Sequence, residues 1–236
     1  MPSNLKIMKR IVFICVLLMQ FSIAAQSLVT KNLGDFSTLK VYNGIELELI
    51  QSNEHKLEIR GEKADKVKVK NVNGTLKISL PFSLNPENNA AQGEVIIKLF
   101  YNKNIDIIDA NEGAVITGKE IKQNKLEVRS KERAFVNLVI KVKYLEVRTT
   151  SGGIVKLSGT TKNQNIDVDL YGIYNGFNLD AASNTFVKAG TGAKAEIKTG
   201  ETLDAKVSFG GSIFYKGNPD VLKDKKVVGG IIQKMN

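Results

Sequence analysis

From Leu28 to Asn236 apolar and polar residues alternate with period two in short runs, and no stretch repeats its apolar residues at helical spacing. Leu39-Val41, Ile45-Leu47-Leu49, Leu57-Ile59, Val67-Val69, Leu76-Ile78-Leu80 and Val95-Ile97-Leu99 each place their apolar members on one face of a strand. Turn formers separate the runs: Tyr42-Asn43-Gly44, Gln51-Ser52-Asn53-Glu54, Arg60-Gly61 and Asn73-Gly74. Between Pro81 and Gly93, proline and asparagine deny regular structure, and one long surface loop is expected. Lys66, Lys68 and Lys70 alternate with Val67 and Val69, which assigns the lysines to an exposed strand face.

From Ile105 a longer period takes over. The stretch Val207 to Pro219 is an alternation broken by Gly210-Gly211, resumed for one short strand and closed by Gly217-Asn218-Pro219. Degraded copies stand at Thr150 to Gly159 and around Gly172, Gly192, Arg133-Ala134 and Gly113-Ala114, stepping by about 19 to 20 residues. A strand-turn-strand unit of this size cannot bury its apolar face alone, whereas stacked units can. The predicted fold is all-β: a single-stranded parallel β-helix (β-solenoid) with coils of about 19–20 residues. Leu126-Glu127-Val128-Arg129 returns as Leu145-Glu146-Val147-Arg148, as Ile166-Asp167-Val168-Asp169 and as Leu203-Asp204-Ala205-Lys206. On that register the apolar members stack inside. Glu127, Glu146 and Asp167 form one outward column, flanked by Arg129, Arg148 and Asp169. Gly152, Gly153, Gly172, Gly176, Gly190, Gly192, Gly210 and Gly211 mark the corners. The coil around Phe186-Val187-Lys188 does not fit the register. Val227 to Ile232 forms the last strand pair, and Lys223, Lys225, Lys226 and Lys234 blunt an end that would otherwise allow self-association through the solenoid ends.

The N-terminus reads differently. Lys6, Lys9 and Arg10 precede an apolar run from Ile11 to Met19, followed by the small residues of Ser22-Ile23-Ala24-Ala25. This is the signal-peptide pattern, so residues 1–25 are expected to be a signal peptide and 26–236 the solenoid domain. The run is well short of the roughly 20 residues of a membrane span, and no transmembrane span is expected after cleavage. Cys15, the only cysteine, lies inside the run rather than after small residues at its end, so it does not match a lipid-anchor cysteine. The expected location is outside the cytoplasm: periplasm, outer-membrane surface or secreted. The mature domain would hold no disulfide.

Net charge is +10, of which the leader supplies three, and the remaining excess is spread along the chain. No recognition helix, finger or RNA motif accompanies it, so nucleic acid is not an expected partner. Trp is absent, so any stacking on a ligand falls to Phe and Tyr.

Three stretches carry a resemblance to a known family: Phe36 to Leu49, Asn73-Gly74-Thr75-Leu76-Lys77-Ile78, and Gly210 to Pro219. In this order, spread over roughly 36–230, they resemble the head GIN domain proteins, the auto-transporter adhesin family common in Bacteroidetes. The resemblance implies a right-handed β-solenoid exported to the cell envelope. It brings no shared catalytic residues. Many relatives are lipoproteins, a feature Cys15 does not reproduce.

The chemistry available to the chain is sparse. His55, the only histidine, sits in the polar turn Asn53-Glu54-His55-Lys56 and reads as a solvated turn residue. With no second histidine and no cysteine in the domain, no metal site and no cofactor are expected. No Gly-x-Ser-x-Gly elbow or phosphate loop is present. Glu127, Glu146, Asp167 and Asp169 are the one carboxylate cluster, with Asp106 and Asp109 more distant; on neighbouring coils two of them could flank a glycosidic bond. Arg129 and Arg148 share their face and neutralise them. Tyr171, Tyr174 and Phe177, interleaved with Asn175 and Asn178, offer either sugar-contact chemistry or one aromatic turned inward as a core filler. The expected function is a non-catalytic, adhesin-like or scaffold binding module. Its partner would be an extracellular glycan or an envelope or matrix protein, with ligand contacts at Tyr171, Tyr174, Asn175, Glu127, Glu146, Asp167 and Asp169. The alternatives are a β-helix polysaccharide lyase or hydrolase using the outward carboxylates, and a self-assembling envelope scaffold.

Overall fold

The computed structural model describes residues 28–83, 91 and 95–236. The expected signal segment 1–25 and most of the 81–93 loop lie outside them. Among the described residues the strands are β1 (Val29–Asn32), β2 (Thr38–Val41), β3 (Glu46–Gln51), β4 (Lys56–Arg60), β5 (Lys68–Val72), β6 (Thr75–Ser79), β7 (Ile96–Tyr101) and β8 (Ile107–Ala110). The four long strands β9 (Val115–Ser130), β10 (Phe135–Thr149), β11 (Ile154–Val168) and β12 (Ile173–Ala189) follow. The shorter β13 (Lys194–Lys198), β14 (Thr202–Ser208), β15 (Ser212–Lys216), β16 (Val221–Val227) and β17 (Ile231–Lys234) close the chain. All 17 belong to one hydrogen-bonded sheet wound into a parallel β-solenoid of about seven turns.

Inward columns make the core, and two of them run along most of the stack. Leu76, Leu39, Ile108, Val128, Val147, Ile166, Val187 and Ala205 stack in register along one side. Ile97, Leu47, Ile116, Val136, Val155, Tyr174, Ala195 and Ile213 stack along another. Every one of these side chains is buried. Alternation along each strand sends successive members in and out, and the coil spacing of about 4.8 Å lets like residues touch. A coil bends where two consecutive side chains face out, as at Lys119-Glu120 and Lys143-Tyr144.

The N-terminal end is closed by antiparallel pairing. β4 runs antiparallel beside β7, β1 beside β4, and β5 beside β6, so the first coils are covered by short strands of reversed direction. Lys68 and Lys70 lie on β5, while Lys66 falls in a 3-10 turn, Ala64–Lys66, rather than in the strand. The C-terminal end is blunted by charge. Asp224, Lys226 and Lys234 occupy inward positions above Ala205, Val207 and Tyr215. Inward-facing charges on a last coil disfavour pairing of a further strand or a second solenoid.

One repeat lies two residues from where the sequence pattern puts it. Ile166 stacks on Val147, not on Leu145, and the position above Leu145 is taken by Gln164. The next coil brings Thr185 to the same column and seats Phe186-Val187-Lys188 in register. One of the expected corner glycines is elsewhere too: Gly176 faces inward under the Tyr174 ring, whereas Gly190 opens a corner turn, its carbonyl accepting the Ala193 amide at 3.2 Å.

Candidate functional site

The register decides what the surface can do. Lys77, Lys40, Asp109, Arg129, Arg148, Asp167, Lys188, Lys206 and Lys225 form one column on the face that precedes the main turn of each coil. Beside it Glu127 and Glu146 stack and are followed by Asn165, Phe186 and Asp204. The expected column of three carboxylates therefore holds two, because Asp167 stands among the arginines. Asp169 is separate again: its Oδ1 accepts the Leu170 and Thr191 amides, 2.8 Å each, and braces the turn.

Neither glutamate is free. Arg129 Nε donates to Glu127 Oε1 at 2.6 Å, Arg148 Nε lies 3.4 Å from the same oxygen, and Arg148 also pairs with Glu146 at 2.5 Å. The hydrogen bond that Arg129 donates to Glu127 raises the Arg129 pKa above the ordinary range, and the one that Arg148 donates to Glu146 does so for Arg148. A general acid needs a carboxyl whose charged form is disfavoured, and a nucleophile needs an unblocked oxygen. Arginine pairing works against the first condition and engages Oε1 of each glutamate. Glu127→Gln is thus expected to lower stability by about 2 kcal/mol, the net value of one charge-assisted bond, read as a shift in the urea midpoint. Among the described residues no group of three or more His, Cys, Asp or Glu is placed to hold a metal ion. His55 is not the solvated turn residue expected. Its ring lies 5.2 Å from that of Phe36 and its side chain is 15% exposed.

The aromatic cluster also divides. Tyr174 is fully buried, so it is removed from the ligand contacts expected of it, and burial pushes its phenol up far enough to stay protonated. Its hydroxyl donates to Gln164 Oε1 at 3.3 Å, while Gln164 Nε2 donates to Thr185 Oγ1 at 3.1 Å and to the Lys198 carbonyl at 3.0 Å. Tyr171 is at a turn tip, and Asn175 faces outward on β12 between Lys156 and Glu196. Tyr171 and Asn175 thus flank one side of the corner, and Glu127, Glu146 and Asp167 lie on the other.

One large surface recess is not singled out by the sequence reading. A groove of about 780 Å³ runs between β3, β9 and β10, lined among others by Glu48, Gln51, Asn53, Asn102, Thr117 and Asn137. Glu48, Thr117 and Asn137 are register partners on successive coils, which makes a ladder of acid, hydroxyl and amide along the groove floor. No local motif announces it, because the three residues are 69 and 20 positions apart and meet only through the early coil that inserts β3 beside β9.

A solenoid, a polar groove and paired surface charges are consistent with many proteins. The family model described as "Putative auto-transporter adhesin, head GIN domain" matches residues 35–219. The chain belongs to the head GIN domain family. Solved structures of similar shape include a protein described as a putative adhesin from Bacteroides fragilis, with TM-score 0.80, 20% identity, and coverage of 90% of this chain and 98% of that one. A second, described as a putative lipid binding protein from Parabacteroides distasonis, has TM-score 0.69 at 18% identity, covering 91% and 98%. A third, a putative adhesin from Parabacteroides merdae, has TM-score 0.67 at 17% identity with the same coverage. At these identities the likeness is one of fold. No curated protein matches the chain in sequence. Among the described residues of this head GIN domain no helix is long and apolar enough to cross a membrane.

Proposed function

We propose that the chain is an exported, non-catalytic binding module of the cell envelope, and that the groove between β3, β9 and β10 is where it holds an extended glycan. The carrying observation is the contrast between the two polar surfaces. Of the carboxylates that could serve a lyase or hydrolase, Glu127 and Glu146 are tied to Arg129 and Arg148 and Asp169 braces a turn, whereas the groove presents amides and hydroxyls over about 780 Å³. Hydroxyl-rich ligands are recognised by such groups at several points along an open cleft. The family name supports an external partner.

The test is a glycan array probed with the solenoid at salt high enough to screen its net positive surface. Saturable binding to one glycan class, weakened about tenfold or more by Asn137→Ala through loss of one or two hydrogen bonds, is expected. Binding that Asn137→Ala leaves unchanged, or silence across the array, overturns the assignment of the groove.

A further inference from the structure

Each coil turns its main corner through two successive residues at positive φ or through a residue and a glycine. These turns are linked by backbone bonds from coil to coil: Gly113 to Glu132, Arg133 to Ser151, Gly152 to Leu170, Tyr171 to Thr191 and Gly192 to Phe209. The backbone geometry is the same along the whole edge, but the side chains change character. In the first half the tips are Asn43-Gly44, Glu112-Gly113, Glu132-Arg133 and Ser151-Gly152. In the second half they are Leu170-Tyr171, Thr191-Gly192, Phe209-Gly210 and Val228-Gly229, and all but the second carry a large apolar or aromatic side chain, with exposures of 47% (Leu170), 68% (Tyr171), 61% (Phe209) and 70% (Val228).

Those four residues are doubly costly to the free fold. Each is apolar or aromatic and faces water, and each holds a left-handed φ, between 45° for Leu170 and 62° for Tyr171. Glycine and asparagine adopt that region readily, whereas a branched side chain such as Val228 rarely does. The polar first half shows that the turn itself does not need them. Since Glu112, Glu132, Arg133 and Ser151 hold a φ in the same region, the backbone belongs to the turn, and what sets the later tips apart is large apolar side chains left in water, which points to a role at the surface.

Charge indicates the partner. Lys188, Lys206 and Lys225 stack on the strand flank immediately before these tips, all exposed, and Lys194 stands on the other flank. Two of the carboxylates beside the tips are committed: Asp169 to the turn amides and Glu196 to Lys194 at 2.5 Å. With coils about 4.8 Å apart, Leu170-Tyr171 and Phe209 stand two coils apart with Thr191-Gly192 between them, and Val228 lies one coil beyond Phe209. Separate apolar tips exposed along one corner are covered together by a deformable phase, and flanking lysines suit one with anionic headgroups. Tyr171 is pre-positioned for this, since its ring lies over Gly192, where a Cβ would come within 2.6 Å of it.

We propose that this corner, from Leu170 to Val228, is an edge that docks on an anionic lipid surface, with the apolar tips entering the acyl boundary and Lys188, Lys206 and Lys225 meeting the headgroups. The proposal goes beyond the glycan reading and uses a different face. A chain docked by this edge leaves the groove of β3, β9 and β10 uncovered, and either assignment can fail alone.

The chain has no tryptophan, which makes a single reporter possible. The sheet and core described above lie within 28–236, so the chain begun at Leu28 keeps the solenoid contacts and omits the apolar leader. Phe209→Trp, with Tyr171→Trp as a second reporter should the first fail to fold, is titrated with phosphatidylcholine vesicles with and without phosphatidylglycerol. Tyr144→Trp, at the far end of its coil from the corner, is the control. The expected result is a blue shift with the phosphatidylglycerol vesicles only, quenched by brominated acyl chains and absent in the control. Replacing the flanking lysines with glutamine should weaken binding about fivefold each. Phe209→Asn should abolish binding while raising the melting temperature, a pair of changes that a packing role would not produce. No shift in the Phe209→Trp protein, or an equal shift in the control, overturns the proposal. So does a shift without lipid that grows with protein concentration, which would assign the edge to a second copy.

Discussion

Gly159→Ala is expected to destabilise the solenoid by about 4 kcal/mol or more, enough to unfold much of the population in a protein of ordinary marginal stability. Two costs combine. Gly159 has φ +107°, outside the regions open to L side chains, and a Cβ there would lie 2.1 Å from the Ile140 carbonyl oxygen. The obstacle is backbone in the adjoining coil, so no rotamer change relieves it. Nor can the coil slide away, because Gly159 is held in register by Ile140 on one side and Leu179 on the other. The measurement is urea unfolding followed by far-UV circular dichroism. Unfolding at an unchanged midpoint would show that neighbouring coils can separate locally at little cost.

Tyr174→Ala is expected to cost about 4 kcal/mol, the range for deleting a large buried aromatic whose site cannot collapse. The ladder bonds of β11, β12 and β13 fix the coils above and below, with Val155 and Ala195 as stacking partners. Tyr174→Phe isolates the hydroxyl and should cost about 1 kcal/mol, leaving Gln164 Oε1 without its donor. The neighbour Gly176 makes the argument sharper. A Cβ at Gly176 would come within 2.6 Å of the Tyr174 ring, so Gly176→Ala alone should destabilise. In the Tyr174→Ala background the same change fills part of the void and should be neutral or stabilising. A double-mutant cycle reads this reversal of sign directly, and additive costs would show that the two sites do not share one space.

The same buried group explains where the sequence reading loses its way. An alignment of repeats on apolar residues alone matches Ile166-Asp167 to Leu145-Glu146. The true partner of Leu145 is Gln164, and the next is Thr185, two polar residues in an inward column. They are stable there because Tyr174, Gln164, Thr185 and the Lys198 carbonyl satisfy one another, a closed arrangement assembled from three coils. Sequence offers no local mark of it. The two-residue error then moves Asp167 into the wrong column and makes Phe186-Val187-Lys188 look out of register. The groove escapes notice for a related reason, since Glu48 meets Thr117 only because the chain leaves after β3, builds the antiparallel cap, and returns.

What the chain's own pattern determined was the coil. Period-two alternation selects strands, a step of about 19 to 20 residues selects stacking, and glycines at the recurring Gly-Gly phrases allow the turns. These are short-range properties, readable wherever a residue's preference for inside or outside is set by its own side chain. Tertiary structure alone decided which residues share a column, which carboxylates are neutralised, which aromatic lies inside, and that apolar tips gather on one corner from Leu170 onward. Those facts depend on register between coils. Register is set by the sum of many contacts across the stack, including buried polar groups whose tolerance for the interior depends on partners far away in the chain.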